Sequence, residues 1–193
     1  MFETHFLHSI FNPKDFNKEE LDQIISMFKR LEFRKNEYLL KEGRVADRYW
    51  FLQNGFLRSF VTDIRGKDTS TNFYCPGDIA IEWSSLFLKS STRENIQALT
   101  DSVCWEIDLD SFKTLFHGIE SFREQGRLTL AGSYFALKNH SIAMIADDAR
   151  VRYLRLLKEK PLVIQNVPLK YIATYLGITD TSLSRIRKDI AKE

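Results

Sequence analysis

At 193 residues, with 44% apolar and 28% charged side chains, the chain suits one large core or two domains of unequal size and has the balance of a soluble globular protein. A net charge of only +2, no apolar run of about eighteen residues, and an opening MFETHFLHSI without the basic and long apolar regions of a signal peptide predict a cytoplasmic protein with no membrane partner. Two cysteines, Cys75 and Cys104, exclude a disulfide framework and a four-cysteine iron–sulfur cluster built by one chain.

Asn17 to Leu31 reads as a helix. Asn17 caps it, Glu20 completes a capping box, and Leu21, Ile24, Ile25, Phe28 and Leu31 form one apolar face. Between Phe33 and Leu109 the texture changes to short aromatic and β-branched runs, with Gly43, Gly55, Gly66 and Gly77 recurring every eleven or twelve positions. Strands are predicted at Tyr49 to Leu52, Phe56 to Val61, Thr69 to Tyr74 and Val103 to Leu109, and in the last of these apolar and polar residues alternate. A compact β-sandwich or β-roll follows.

Helical periodicity returns at Ser111 and continues almost to Pro161. Within it Leu128, Ala131, Phe135, Ile142 and Ile145 fall on a near-heptad seam, while Leu130, Tyr134, Leu137 and Met144 make a second apolar stripe. A helix with two apolar sides must bury both. One is expected on the β-roll and the other against its copy in a second subunit; the alternative is that both belong to one subunit's core. Asp147 and Asp148 interrupt the seam, and Ala149 to Glu159 restarts as a helix. The expected division is therefore an N-terminal helix and β-roll domain over 1–110, a connecting and dimerisation helix over 111–146, and a C-terminal unit over 147–193. That last unit has ten Lys or Arg against six Asp or Glu, about +4, so it carries the basic excess.

The segment LKYIATYLGITDTSLSRIRK, Leu169 to Lys188, reads as a helix-turn-helix. Ile172, Ala173 and Leu176 face inward, Gly177 takes the turn, and Ile178, Leu183 and Ile186 supply the second helix's buried side. Thr179 or Asp180 can cap that helix. Its outward candidates for contact with DNA are Asp180, Thr181, Ser182, Arg185 and Lys188, with Thr179 at its start. An ordinary helical hairpin is the plainer reading.

A β-roll with turn glycines, a long helix and a C-terminal helix-turn-helix together resemble the Crp/Fnr family of bacterial transcription regulators. The matches are Gly43, the run Tyr49-Trp50-Phe51-Leu52-Gln53-Asn54-Gly55, the turn Asp63-Ile64-Arg65-Gly66-Lys67, Pro76-Gly77-Asp78, and Ala98-Leu99-Thr100-Asp101-Ser102. The resemblance implies an α+β fold: a jelly-roll-like β-roll with flanking helices, a long dimerisation helix and a C-terminal, winged helix-turn-helix. Little chain follows Lys188 to make a wing's second hairpin. It also implies a homodimer on a pseudopalindromic operator of double-stranded DNA, each second helix in one major groove. Arg185 looks like the family's recognition-helix arginine, able to bond guanine O6 and N7, whereas Ser182 and Lys188 suit phosphates. Activation would add RNA polymerase as a partner, for which no residue pattern marks a surface.

In cyclic-nucleotide-binding relatives a Gly-Glu-Leu segment and an Arg-Ser pair hold the ribose and the phosphate. Glu82 is retained here, but Ile81 stands in the glycine's place, and Thr92 occupies the arginine's place with Arg93 one residue late. Glu82, Thr92 and Arg93 are therefore the candidate effector pocket, with a cyclic nucleotide disfavoured as ligand and no cofactor expected. No metal site is expected either: His5, His8, His117 and His140 all lie outside the strand region, which excludes a cupin-type metal centre, and no catalytic motif is present. The chain reads as a regulator and not an enzyme. The competing reading is a cyclic-nucleotide-sensing protein-interaction module without DNA binding.

Overall fold

The computed structural model describes residues 5–192. Helices α1 (His5–Ile10) and α2 (Lys18–Ser26) precede strands β1 (Lys29–Phe33), β2 (Tyr38–Leu40), β3 (Arg48–Asn54), β4 (Leu57–Thr62), β5 (Asp68–Tyr74) and β6 (Ile79–Ala80). Helix α3 (Trp83–Leu88) and strands β7 (Asn95–Ala98) and β8 (Ser102–Asp108) complete the roll. Six helices follow among the described residues: α4 (Leu109–Gly118), α5 (Glu120–Ala146), α6 (Ala149–Glu159), α7 (Pro161–Asn166), α8 (Leu169–Tyr175) and α9 (Asp180–Ile190).

The strands form two antiparallel sheets, ordered β1-β8-β3-β6 and β2-β7-β4-β5. Buried apolar side chains such as Trp50, Leu52, Leu57, Ile96 and Ile107 hold this jelly-roll-like body together. The tight connection between β3 and β4 depends on Gly55, at φ +94°, where a Cβ would lie 2.3 Å from Ser102 Oγ and 2.7 Å from the Asp101 carbonyl. Glu106 is buried in the first sheet but is satisfied by Trp50 Nε1 and Arg48, each at 2.8 Å.

Several expectations are corrected. The capping box at Asn17 forms, yet α2 ends at Ser26; Phe28 is core beyond the helix and Leu31 lies in β1 opposite Cys104, where sheet pairing overrides the helical pattern. The helical tract after the roll is broken twice. Ile119 is extended between α4 and α5, and Asp147 and Asp148 are extended before α6, with Asp148 capping α6 through the Val151 N–H. The first core does not stop at residue 110: Leu109, Leu115, Ile119 and Phe122 belong to it, because α4 folds back against the sheet. No strand follows Asp108 among the described residues, and α7 occupies the stretch between α6 and α8, so no wing is seen there.

The C-terminal helices build a second core from Tyr153, Leu156, Val163, Ile172, Ala173, Leu176 and Leu183. Phe73, Cys75 and Leu99 of the roll join it, so the last helices are packed onto the edge of the second sheet. Helix α5 behaves differently. Of its 27 residues only Phe122 and Ala143 are buried. Both predicted stripes are exposed, so the expectation that one would lie on the roll is wrong: Leu137 is 68% and Ile145 86% exposed. Helix α4 packs between the first sheet and the start of α5, so there α4 covers the sheet in place of α5.

Candidate nucleic-acid interface and effector cavity

Helices α8 and α9 are joined by a turn that the local sequence specifies. Gly177 adopts φ +67°, its N–H reaching the Thr174 carbonyl at 3.1 Å while the Ile178 N–H reaches Ala173 at 3.0 Å. Ile172 and Ala173 are fully buried where the helices cross, and Leu183 inserts from α9. Thr179 is the cap: its Oγ1 accepts from the Ser182 N–H at 3.2 Å and lies 2.9 Å from the Ser182 hydroxyl.

That cap decides what α9 can offer. Thr179 and the half-buried Ser182 use their hydroxyls on each other, whereas Asp180, Thr181, Arg185 and Lys188 are exposed. At about 100° per residue, a helix that buries Leu183 turns Thr181, Arg185 and Lys188 to the opposite side, with Ser184 on the flank of that stripe. Ser184 and Arg187, also exposed, were missed by the sequence reading.

The helix pair is fastened to the roll by polar contacts that no local pattern announces. Arg58 on β4 is only 3% exposed, with its guanidinium between the Phe60 ring at 3.8 Å and the Tyr171 ring of α8 at 3.9 Å. It bonds Gln97 and, at 3.0 Å, Asp68. Nearby, Thr174 Oγ1 accepts from the Ser70 N–H at 3.1 Å, and Lys160 donates to the Phe73 carbonyl at 2.8 Å. Tyr175 packs against Phe73 and stacks on His140 of α5 at 4.5 Å. Burial, with Arg152 and Arg155 close by, lowers the His140 pKa below its ordinary value.

Between roll, α5 and these helices lies a cavity of about 870 Å³. Its roll side presents Tyr74, Glu82 and Glu94; its helical side presents Arg152, Arg155 and Lys160. Of the three predicted pocket residues, only Glu82 lines it. Glu82 is also the cap of α3, accepting from the Ser85 N–H at 2.6 Å and the Ser84 hydroxyl at 2.7 Å. Thr92 is buried, its Oγ1 accepting the Glu94 N–H at 2.9 Å to close its own turn, and Arg93 is exposed outside the cavity. The one-residue shift that separates them turns these two side chains apart. Glu94 also faces the cavity, and burial raises its pKa with Glu82 adding to the effect. Among the described residues no group of His, Cys, Asp and Glu could hold a metal ion, and no helix is long and apolar enough to cross a membrane.

Comparison with known proteins agrees with this architecture. Residues 30–118 match the family described as Cyclic nucleotide-binding domain. No curated protein sequence matches the chain. Among solved structures it is similar to FixK2 from Bradyrhizobium japonicum, at 20% identity and TM-score 0.73 over 86% of this chain and 85% of that one. It is similar to a CooA variant from Carboxydothermus hydrogenoformans, at 17% identity and TM-score 0.72 over 98% and 85%. A protein from Eubacterium rectale, assigned to the crp/fnr family of transcriptional regulators, aligns at 14% identity and TM-score 0.70 over 95% and 88%. Such identities carry the fold and no more. Residues 30–118 are thus similar to the Cyclic nucleotide-binding domain family, and the chain shares its fold with FixK2, CooA and the Eubacterium rectale protein.

Proposed function

We propose that this chain is a homodimeric, sequence-specific DNA-binding regulator whose helix α9 enters the major groove of each half-site. The observation that carries the reading is the outward stripe Thr181, Ser184, Arg185 and Lys188 on a helix whose other side is anchored by Leu183. A polar, basic helix face held rigidly by a second helix is what major-groove docking requires. Arg185 reads a guanine; Lys188 neutralises phosphate. The exposed Leu128, Ala131, Phe135, Ile142 and Ile145 of α5 support pairing with a second copy, which sets the spacing of two recognition helices.

The cavity of about 870 Å³ is the effector site in this reading, since a ligand there would touch roll, α5 and C-terminal helices together. A cyclic nucleotide is disfavoured: Thr92, at the place of the phosphate-binding arginine, is buried closing its own turn, and Arg93 lies exposed outside the cavity. Site selection from random duplex DNA, followed by affinity measured at rising salt, tests the function. A palindromic consensus and an affinity falling steeply with salt, with a log–log slope of about −0.9 for each phosphate contacted, are expected. Salt-independent binding, or no consensus, would favour a protein-docking module.

A further inference from the structure

Helix α5 and the C-terminal helices meet at an elbow formed by Asp147 and Asp148, both extended. So short a junction has few torsions, but each is soft, and left alone they would let the direction of the following helices vary. Here the elbow is tied on both sides. The Asp147 N–H still closes α5 on the Ala143 carbonyl at 3.0 Å, and the Asp147 carboxylate accepts from Arg155 of α6 at 2.6 Å. Asp148 caps α6 by accepting from the Val151 N–H at 2.9 Å. The Asp147 carbonyl, whose direction is set by the elbow's own ψ of 147°, accepts from Arg152 Nη1.

The same guanidinium also reaches the helix-turn-helix. Arg152 Nε and Nη2 donate to the Leu176 carbonyl at 3.2 and 2.9 Å. Leu176 is the C-cap of α8, and the last carbonyls of a helix have no partner within it. One side chain thus serves the ends of α5 and α8 together, using three of the five N–H groups that an arginine carries. A guanidinium is planar and rigid, so two carbonyls bound to it are held at a fixed separation; a lysine's flexible stem and single ammonium impose no such geometry. The neighbouring contacts show how closely the two units lie. A Cβ on Gly177 would sit 2.7 Å from Met144 Cε of α5, and Tyr175 stacks on His140 one helical turn before Met144.

We propose that Arg152 is a positioning residue for DNA binding: by locking the elbow to the end of α8 it fixes the direction of α9 relative to α5, and in the dimer that direction sets the half-site spacing the protein accepts. In this role it acts through α9 and touches no base. The inference rests on the proposed function. One base pair added between half-sites moves one of them by about 3.4 Å and turns it by about 35° round the duplex, so a rigid elbow rejects the change and a loosened one absorbs it.

The test starts from the operator that the wild-type chain selects from random duplex DNA, and compares affinity, at one salt concentration, for that operator and for versions one base pair longer and shorter. The wild type should lose at least about tenfold on either altered duplex. Arg152→Met removes every donor, and Arg152→Lys keeps the charge without the rigid fork. Each should select the same half-site sequence yet bind the three duplexes within about threefold of one another. Circular dichroism and thermal unfolding establish that each variant is folded, and the lysine variant carries the test if the methionine variant is not. A loss of stability alone would lower the three affinities together and leave their ratios as in the wild type. A folded variant with wild-type ratios therefore overturns the role of Arg152 while leaving the proposed function standing, as does a wild type that selects a palindrome but is indifferent to its spacing. A wild type that selects no palindrome brings down the proposed function and this inference with it.

Discussion

Helices α5 and α9 both leave much of their length in solvent, but what they expose is opposite in kind. Helix α5 displays Leu128, Tyr134, Phe135, Leu137 and Ile145, large apolar groups that soluble proteins seldom leave uncovered in such a row. Helix α9 displays Thr181, Ser184, Arg185 and Lys188 and hides Leu183. An apolar row is stabilised by shedding water against another protein surface; a polar, basic row loses little in solvent and gains from a polyanion. Under the proposed function the two helices serve different partners, and the contrast can be broken from either end.

The largest effect is expected on α5. Phe135→Glu would place an unpaired charge in a subunit interface, at a cost of about 3–5 kcal/mol, and so raise the dimer dissociation constant by ~100-fold or more. Sedimentation equilibrium reads this directly; an unchanged mass would remove α5 from the interface. Next comes the fastening that separates the two helices' surroundings. Arg58→Ala removes both ring contacts and leaves Asp68 and Gln97 without their partner, a loss of about 2–3 kcal/mol that should appear as faster hydrogen exchange in α8. Equal protection in the variant would mean that α8 is held without Arg58.

On α9, Arg185→Ala should cost about 1–3 kcal/mol in operator binding and relax the preference at one guanine per half-site. If random-site selection returned the same consensus for variant and wild type, Arg185 would not be reading a base. Thr179→Ala removes the cap and should lower stability by about 1 kcal/mol, measured by urea unfolding of the full chain. The smallest effect concerns His140. Its folded-state pKa is lowered from 6.5, so protonation favours the unfolded chain: its neutral form suits the fold above 6.5, and stability declines as the pH falls through 6.5 toward the folded value. His140→Gln should flatten that part of the pH profile, and an unaltered profile would assign the acid loss to other groups.

The parts of this design visible in the sequence are those written in short range. The α8–α9 turn is an example: Ala173, Gly177, Thr179 and Leu183 sit at fixed offsets, and the structure uses each as its type suggests. The glycine-punctuated strands were equally plain, because a tight turn at Gly55 excludes any side chain. Leu31 was misread for the converse reason. Its helical spacing was genuine, but pairing with β8, more than seventy residues away in the chain, decided its conformation. The pocket residues Thr92 and Arg93 failed similarly, since an alignment fixes adjacency and not the face to which a side chain turns.

What the amino-acid order settled by itself was local: caps, turns, the alternation of strands, the two apolar stripes of α5 and the polar stripe of α9. Only the folded molecule decided which surfaces remain uncovered. Burial depends on what packs alongside, and α4 had already taken the sheet that α5 would otherwise have covered. The Arg58–Tyr171 contact belongs to that second class, because it joins groups whose separation along the chain carries no periodic signal.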